Sequence, residues 1–426
     1  MRRGVALACL ILPIALLVPA CGNGDSSAPT PQAATGVGLK GDFSGTGPGT
    51  LLDARALPTI DKRLPAMTSI SGRIEYTSTS AVTNSETTVT GTVFAPKGQP
   101  PEGGWPIIAF GHGTSGVEPD CAPSLSPDLL GLAGPVALLV QAGYVVTLTD
   151  YQGLGIDKTY HPFLEPITEG YNLIDSVRAA RKLVPDTSDR WIAAGFSQGA
   201  QAAWAANELA QTYGQGLTLL GSVALAPPLD LTFIADTAAS GRLTKEQKPL
   251  YQAMLAALKN EHPDFNLDDY RHGTLKQRWD TLLNCDVIHA TERERLFDEV
   301  TADDLRPSSP AATDALRSRL QEMSLPRQQA AAPVLVVYGD SDPIIPVEST
   351  DGALAAACGM GDVIDIRKQP GKGHSDLDIA VALSWIADRF KDVPVTNSCA
   401  PPAPAPPSEP DATSPPVEGD ASESPR

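Results

Sequence analysis

Arg190-Trp191-Ile192-Ala193-Ala194-Gly195-Phe196-Ser197-Gln198-Gly199-Ala200 reads as a short apolar strand that turns through G-x-S-x-G into a helix. Such a turn lifts its serine onto a sharp strand-to-helix elbow, and the two flanking glycines leave room around the hydroxyl. In a chain with 37 glycines the five-residue pattern alone says little. Its context says more: strand-like residues precede it, and residues 201–210 after it are a run of good helix formers. Ser197 is therefore a candidate nucleophile.

Outward from this elbow, apolar strands alternate with helical segments. The strands read as residues 107–110, 144–149, 191–194, 219–226, 334–338 and 363–366. Short, nearly continuous apolar strands must be covered on both faces, which predicts a mostly parallel central sheet with helices on either side, an α/β fold. One covering helix, residues 171–181, places Leu173, Ile174, Val177 and Ala180 on a single face. Upstream, residues 73–78 and 87–94 alternate like antiparallel strands joined around Asn84-Ser85-Glu86. Between about 228 and 332 the rhythm breaks into helical patterns such as residues 250–258, which reads as a helical cap inserted over the strand ends. The expected main domain is residues 51–399.

The ends read differently. Residues 1–20 carry Arg2 and Arg3 before an apolar run that ends Val18-Pro19-Ala20-Cys21, like a bacterial lipobox. This predicts a lipoprotein signal peptide and a lipid-modified Cys21 that tethers the mature chain to a membrane outside the cytoplasm; ordinary secretion with cleavage nearby is the alternative. Residues 21–50 have the Gly/Ser/Thr/Pro composition of a flexible tether, and residues 400–426 that of a disordered Pro-rich tail.

Four further cysteines, Cys121, Cys285, Cys358 and Cys399, suggest two disulfides in an exported chain, with three possible connectivities. No C-x-x-C pair or His/Cys cluster offers a zinc site, so neither a metal nor another cofactor is expected. The net charge of −18 argues against a nucleic-acid partner.

A serine hydroxyl is a poor nucleophile near neutral pH and needs a base, itself oriented by an acid. On a fold of this kind the chain order is Ser, then Asp or Glu, then His. Of the six histidines only His374 lies beyond the strand at 334–338, in a loop before a helix expected from about Leu377. The acid belongs just past that strand, where Asp340 and Asp342 compete. Asp342 is preferred, one turn beyond the strand end with Pro343 fixing the chain after it; Asp340 is read as bonding backbone groups of its loop. The oxyanion that develops on the substrate needs preorganised N–H donors. Gln198 supplies one from its backbone, and Thr114, in the glycine-rich loop 111–116, supplies the second. His112 is read as a prop for that loop.

Six ordered pieces carry a resemblance: His112-Gly113-Thr114 with Cys121-Ala122-Pro123-Ser124; Thr149-Asp150-Tyr151-Gln152-Gly153-Leu154-Gly155; Glu169-Gly170 with residues 175–181; Gly195 to Gly199; Gly339 to Pro346; and Gly373-His374. Across roughly residues 60–399 the chain resembles the α/β-hydrolase superfamily and, more closely, its secretory lipase family. The resemblance implies hydrolysis of carboxylic esters and acylglycerols, and a helical lid between the sixth and seventh core strands. It also implies disulfides joining Cys121 to Cys285 and Cys358 to Cys399.

The expected activity is that of an exported serine carboxylic ester hydrolase, a lipase or esterase acting on lipid esters through Ser197, Asp342, His374 and an acyl-enzyme. An acyltransferase or peptidase using the same residues is the enzymatic alternative, and a silent surface binding protein the non-enzymatic one. The complete ordered set weighs against the silent reading. Phe196, Tyr151 and Phe233 read equally well as pocket-lining or as core residues.

Overall fold

The structure, a computed structural model, describes residues 35–399. The signal segment, the lipidation site at Cys21 and the tail from residue 400 lie outside the described residues. Within them, nine strands form one sheet in the order β1-β2-β3-β5-β4-β6-β7-β8-β9. β1 (Leu51–Ala56), β2 (Thr68–Ser80) and β3 (Ser85–Pro96) are antiparallel neighbours at one side. β3 runs antiparallel to β5 (Val145–Thr149), and β5, β4 (Trp105–Gly111), β6 (Thr187–Phe196), β7 (Thr218–Leu225), β8 (Val334–Gly339) and β9 (Ile364–Gln369) are parallel.

Period-two alternation explains why these strands look uniformly apolar. Ile107, Ala109, Trp191 and Ala193 pack with the helix Pro166–Leu183 on one face, while Ile108, Phe110, Ile192 and Ala194 pack with the helices Ala133–Gln141 and Ala380–Phe390 on the other. β8 divides the same way, with Val334 and Val336 against the helix Val347–Met360 and Leu335 and Val337 on the opposite side. A strand buried on both faces has no solvent-facing position, so its sequence is nearly all apolar, with Thr147 and Thr149 of β5 and Ser222 of β7 as buried exceptions. This is an α/β-hydrolase fold.

Between β7 and β8 the chain leaves the sheet for a set of helices, including Phe233–Ala239, Gln247–Glu261, Ala290–Glu299 and Pro310–Glu322. They share an apolar core of their own in which Ile234, Tyr251, Met254, Leu255, Leu296, Leu316 and Leu320 are buried. With the antiparallel β1 counted, this excursion follows the seventh strand.

Around β1 to β3 the structure departs from the sequence reading in two places. Residues 35–50, assigned to the flexible tether, lie along the body: Gly36 and Leu39 donate N–H bonds to the carbonyls of Ala56 and Ala54, and the Asp42 N–H donates to the Lys182 carbonyl. β1 is an edge strand whose free side needs partners, and these backbone bonds supply them without any side-chain pattern. The hairpin turn also sits earlier, at residues 81–84, where Asn84 takes φ +49, a left-handed conformation that asparagine tolerates.

Candidate active site

β6 ends at Phe196 and a helix, Gln198–Tyr213, begins two residues later, so Ser197 alone makes the turn. Its backbone adopts φ 53 and ψ −120, a region that costs a non-glycine residue about 1–3 kcal/mol and persists only where the surroundings impose it. Here they do. The Ser197 N–H donates to the Leu225 carbonyl at 2.8 Å, and the strand packs so closely on the helix that a Cβ at Gly195 would lie 2.0 Å from the Gly199 carbonyl oxygen.

The structure brings Ser197, His374 and Asp342 together. His374 comes from the loop between β9 and the helix Ala380–Phe390, a helix that starts three residues later than the sequence suggests. Its Nε2 lies 2.9 Å from Ser197 Oγ and its Nδ1 2.6 Å from Asp342 Oδ2. Asp342 cannot donate when ionised, so Nδ1 carries the proton and Nε2 is left to accept from the serine hydroxyl. The other carboxylate oxygen of Asp342 accepts the N–H groups of Ile344 and Ile345, at 2.8 and 3.0 Å, which fixes the plane of the carboxylate. Both partners are nearly sealed, with side-chain exposures of 7% and 3%.

Asp340 stands elsewhere. Its Oδ1 accepts the Gly371 N–H at 2.7 Å and the Ser341 hydroxyl at 3.0 Å, bracing the loop that carries His374. His112 is buried behind the glycine-rich loop, with Nδ1 2.7 Å from the Gly113 carbonyl and its ring against Tyr151. Burial lowers its pKa and so keeps it neutral.

Ser197 opens onto a cavity of about 420 Å³. Thr114 and Gln198 are on its wall, together with Leu164, Phe196, Leu250, Leu282, Leu283, Phe297, Ile344 and Ile345. The lining is more apolar than polar, as suits the hydrocarbon part of a ligand, with Ser115, Glu246, Gln252, Asn284 and Arg293 as polar residues away from the nucleophile's own partners. Gln198 opens its helix, so its N–H has no acceptor within the helix and remains available to an anion. Of the three suggested pocket residues only Phe196 lines the cavity, resting against the His374 ring at 5.1 Å. Tyr151 is fully buried with its hydroxyl donating to the His112 carbonyl, and Phe233 packs against the core of the helical excursion.

A disulfide joins Cys121, in the loop after β4, to Cys285, beside Leu282 and Leu283 on the cavity wall; the second joins Cys358 to Cys399. Among the described residues no group of three or more His, Cys, Asp or Glu is arranged to hold a metal ion, and no helix is long and apolar enough to cross a membrane. Sequence reasoning missed the side-chain partners of Gln198, namely His161 and Glu169, and most of the cavity wall.

The family model for secretory lipases matches residues 133–398. No curated protein matches the chain by sequence. Among solved structures, lipase A of Candida antarctica in its closed state is similar at 18% identity and a TM-score of 0.65, over 83% of this chain and 85% of that one. The rice cell wall degrading esterase LipA of Xanthomonas oryzae is similar at 20% identity and a TM-score of 0.61, over 82% of this chain and 97% of that one.

Proposed function

The chain belongs to the secretory lipase family and is a lipase-like hydrolase of lipid esters, and from that premise we propose that Ser197, His374 and Asp342 cleave the ester through a covalent acyl-enzyme. Ser197 Oγ attacks the acyl carbonyl while its proton passes to His374 Nε2. The imidazolium is stabilised and held in register by Asp342 through Nδ1. The oxygen that becomes negative in the tetrahedral intermediate receives the backbone N–H groups of Gln198 and Thr114. Collapse breaks the carbon–oxygen bond to the alcohol, which leaves with the proton from His374. Water then attacks the acyl-enzyme, gives its proton to Nε2, and the second collapse returns that proton to Ser197 Oγ and frees the acid.

One observation carries this reading: the unbroken relay from Asp342 Oδ2 to His374 to Ser197 Oγ, at 2.6 and 2.9 Å, at the wall of an apolar cavity. The test is hydrolysis of short p-nitrophenyl esters together with labelling by a fluorophosphonate. Ser197→Ala removes both activities; full hydrolysis by that variant overturns the proposal.

The same reading places the enzyme outside the cytoplasm, tethered through lipid on Cys21. Two disulfides fit an oxidising compartment, and the lipobox-like residues 18–21 supply the attachment point. Mass analysis of the mature N-terminus decides: a diacylated Cys21 supports the tether, and an unmodified N-terminus beyond it refutes it.

A further inference from the structure

Gln198 presents its N–H beside the nucleophile, yet its side chain is 1% exposed and held in a buried polar cluster. Its Nε2 donates one proton to His161 Nε2 at 2.9 Å and the other to Glu169 Oε1 at 2.7 Å. His161 Nδ1 donates to the Gln152 carbonyl at 2.9 Å, which leaves Nε2 as an acceptor. Burial brings the His161 pKa down to about 3, so the ring stays neutral in that role.

Glu169 reaches this cluster from a neighbouring helix, Pro166–Leu183, which packs so tightly along Gln198–Tyr213 that a Cβ on Gly170 would lie 3.0 Å from the Ala206 nitrogen. The Oε1 atom that takes the Gln198 proton also accepts the Leu164 N–H at 2.9 Å. Leu164 lines the cavity and holds φ +63, a left-handed conformation that a leucine keeps only under constraint. One carboxyl oxygen thus holds both the residue after the nucleophile and a residue of the cavity wall. Glu169 Oε2 and Gln198 Oε1 are buried without partners, so an apolar filling of this space would be the more stable design.

We propose that Glu169, supported by His161, is a positioning residue for the chemistry of Ser197: its grip on the Gln198 side chain holds the Gln198 N–H against the oxyanion. Through Leu164 the same oxygen sets the adjoining cavity wall. The strained turn at Ser197 makes such a grip necessary, because the peptide before the helix has no regular conformation to fall back on. Displacing a donor by a fraction of an ångström weakens the transition state more than the bound substrate. The inference rests on the reading of Ser197 as nucleophile.

The experiment measures kcat and KM on p-nitrophenyl butyrate for the wild type, Ser197→Ala, Glu169→Leu, Glu169→Gln, Gln198→Leu and the double variant Glu169→Leu/Gln198→Leu. Circular dichroism and thermal unfolding are followed in parallel. Glu169→Leu lowers kcat by about 10- to 100-fold, less than outright loss of an oxyanion donor, with KM changed no more than about threefold. Glu169→Gln keeps kcat within about threefold, because an amide oxygen accepts the same two N–H bonds. Gln198→Leu, which retains its peptide N–H, reproduces the loss, and the double variant falls no further than either single one.

Wild-type kcat in both leucine variants overturns the inference, as does a Glu169→Gln variant as slow as Glu169→Leu. If Glu169→Leu does not fold, Gln198→Leu decides by the same criteria. Activity that vanishes in Ser197→Ala leaves the nucleophile reading standing whatever the Glu169 variants do, whereas activity retained there overturns both.

Discussion

Gly199 lies so close to Gly111 that a Cβ added to Gly199 would sit 1.9 Å from the Gly111 carbonyl oxygen. The contact is backbone on backbone, so neither side can swing away. Gly199→Ala therefore forces β4 and the helix behind Ser197 apart, lowering stability by about 1–3 kcal/mol or more. Hydrolysis falls with it, because the start of that helix carries the Gln198 N–H. Gly352→Ala is the control: it lies within the helix Val347–Met360, where a Cβ meets nothing within 4 Å, and gains roughly 0.5–1 kcal/mol. Thermal unfolding of both variants checks the pair, and equal shifts would refute the steric account.

The two candidate acids separate cleanly on substitution. In Asp342→Asn the amide oxygen is able to keep the N–H bonds from Ile344 and Ile345, which turns the amide NH2 toward His374 Nδ1. That forces the imidazole proton onto Nε2 and leaves Ser197 without a base, a loss of roughly 10³- to 10⁴-fold in kcat. Asp340→Asn retains an oxygen to accept the Gly371 N–H and keeps most of the activity. Kinetics that rank the two the other way would transfer the catalytic acid to Asp340.

Cys121 and Cys285 are 164 residues apart in sequence, so their bond closes a long loop and restrains the unfolded chain strongly. Replacing both by alanine lowers stability by about 2–5 kcal/mol. It also frees the segment at Leu282 and Leu283 from the loop after β4, and limited proteolysis finds new cleavage there. An unchanged melting temperature with no new cleavage would show that packing alone holds the two segments together.

Glu261, at the last turn of the helix Gln247–Glu261, has its carboxyl pushed up to about 8, first by burial and then by the neighbouring Glu165. Its folded pKa lies above the unfolded value near 4.5, so the folded state holds the proton more tightly. The resulting stability is fully present below about 4.5 and is lost as pH rises through about 8. Melting temperatures of the wild type therefore decline across this range more steeply than those of Glu261→Gln. Parallel curves would remove Glu261 from the account.

The elbow at Ser197, every sheet strand but β1 and the body of the helix Pro166–Leu183 are legible because each is written in local periodicity and turn chemistry. Chain order then singled out His374 and narrowed the acid to Asp340 or Asp342. Residues 35–50 misled because a chain that bonds an edge strand through its backbone needs no apolar rhythm. Glu169 entered the sequence reading only as part of a family motif, with no role attached. His161 was one histidine among six, and nothing near it in sequence pointed to Gln198.

By itself the sequence determined the order of strands and helices, the serine on its turn and the placement of a histidine and two acids after it. These depend on neighbours a few residues apart, where propensity and steric limits act. The tertiary structure alone decided that His374 reaches Ser197 and Asp342 together, how Glu169 grips Gln198, and how Leu164, Phe297 and Ile345 enclose one cavity. Those relationships join positions far apart along the chain, and their energies come from burial and desolvation, which exist only once the chain has packed.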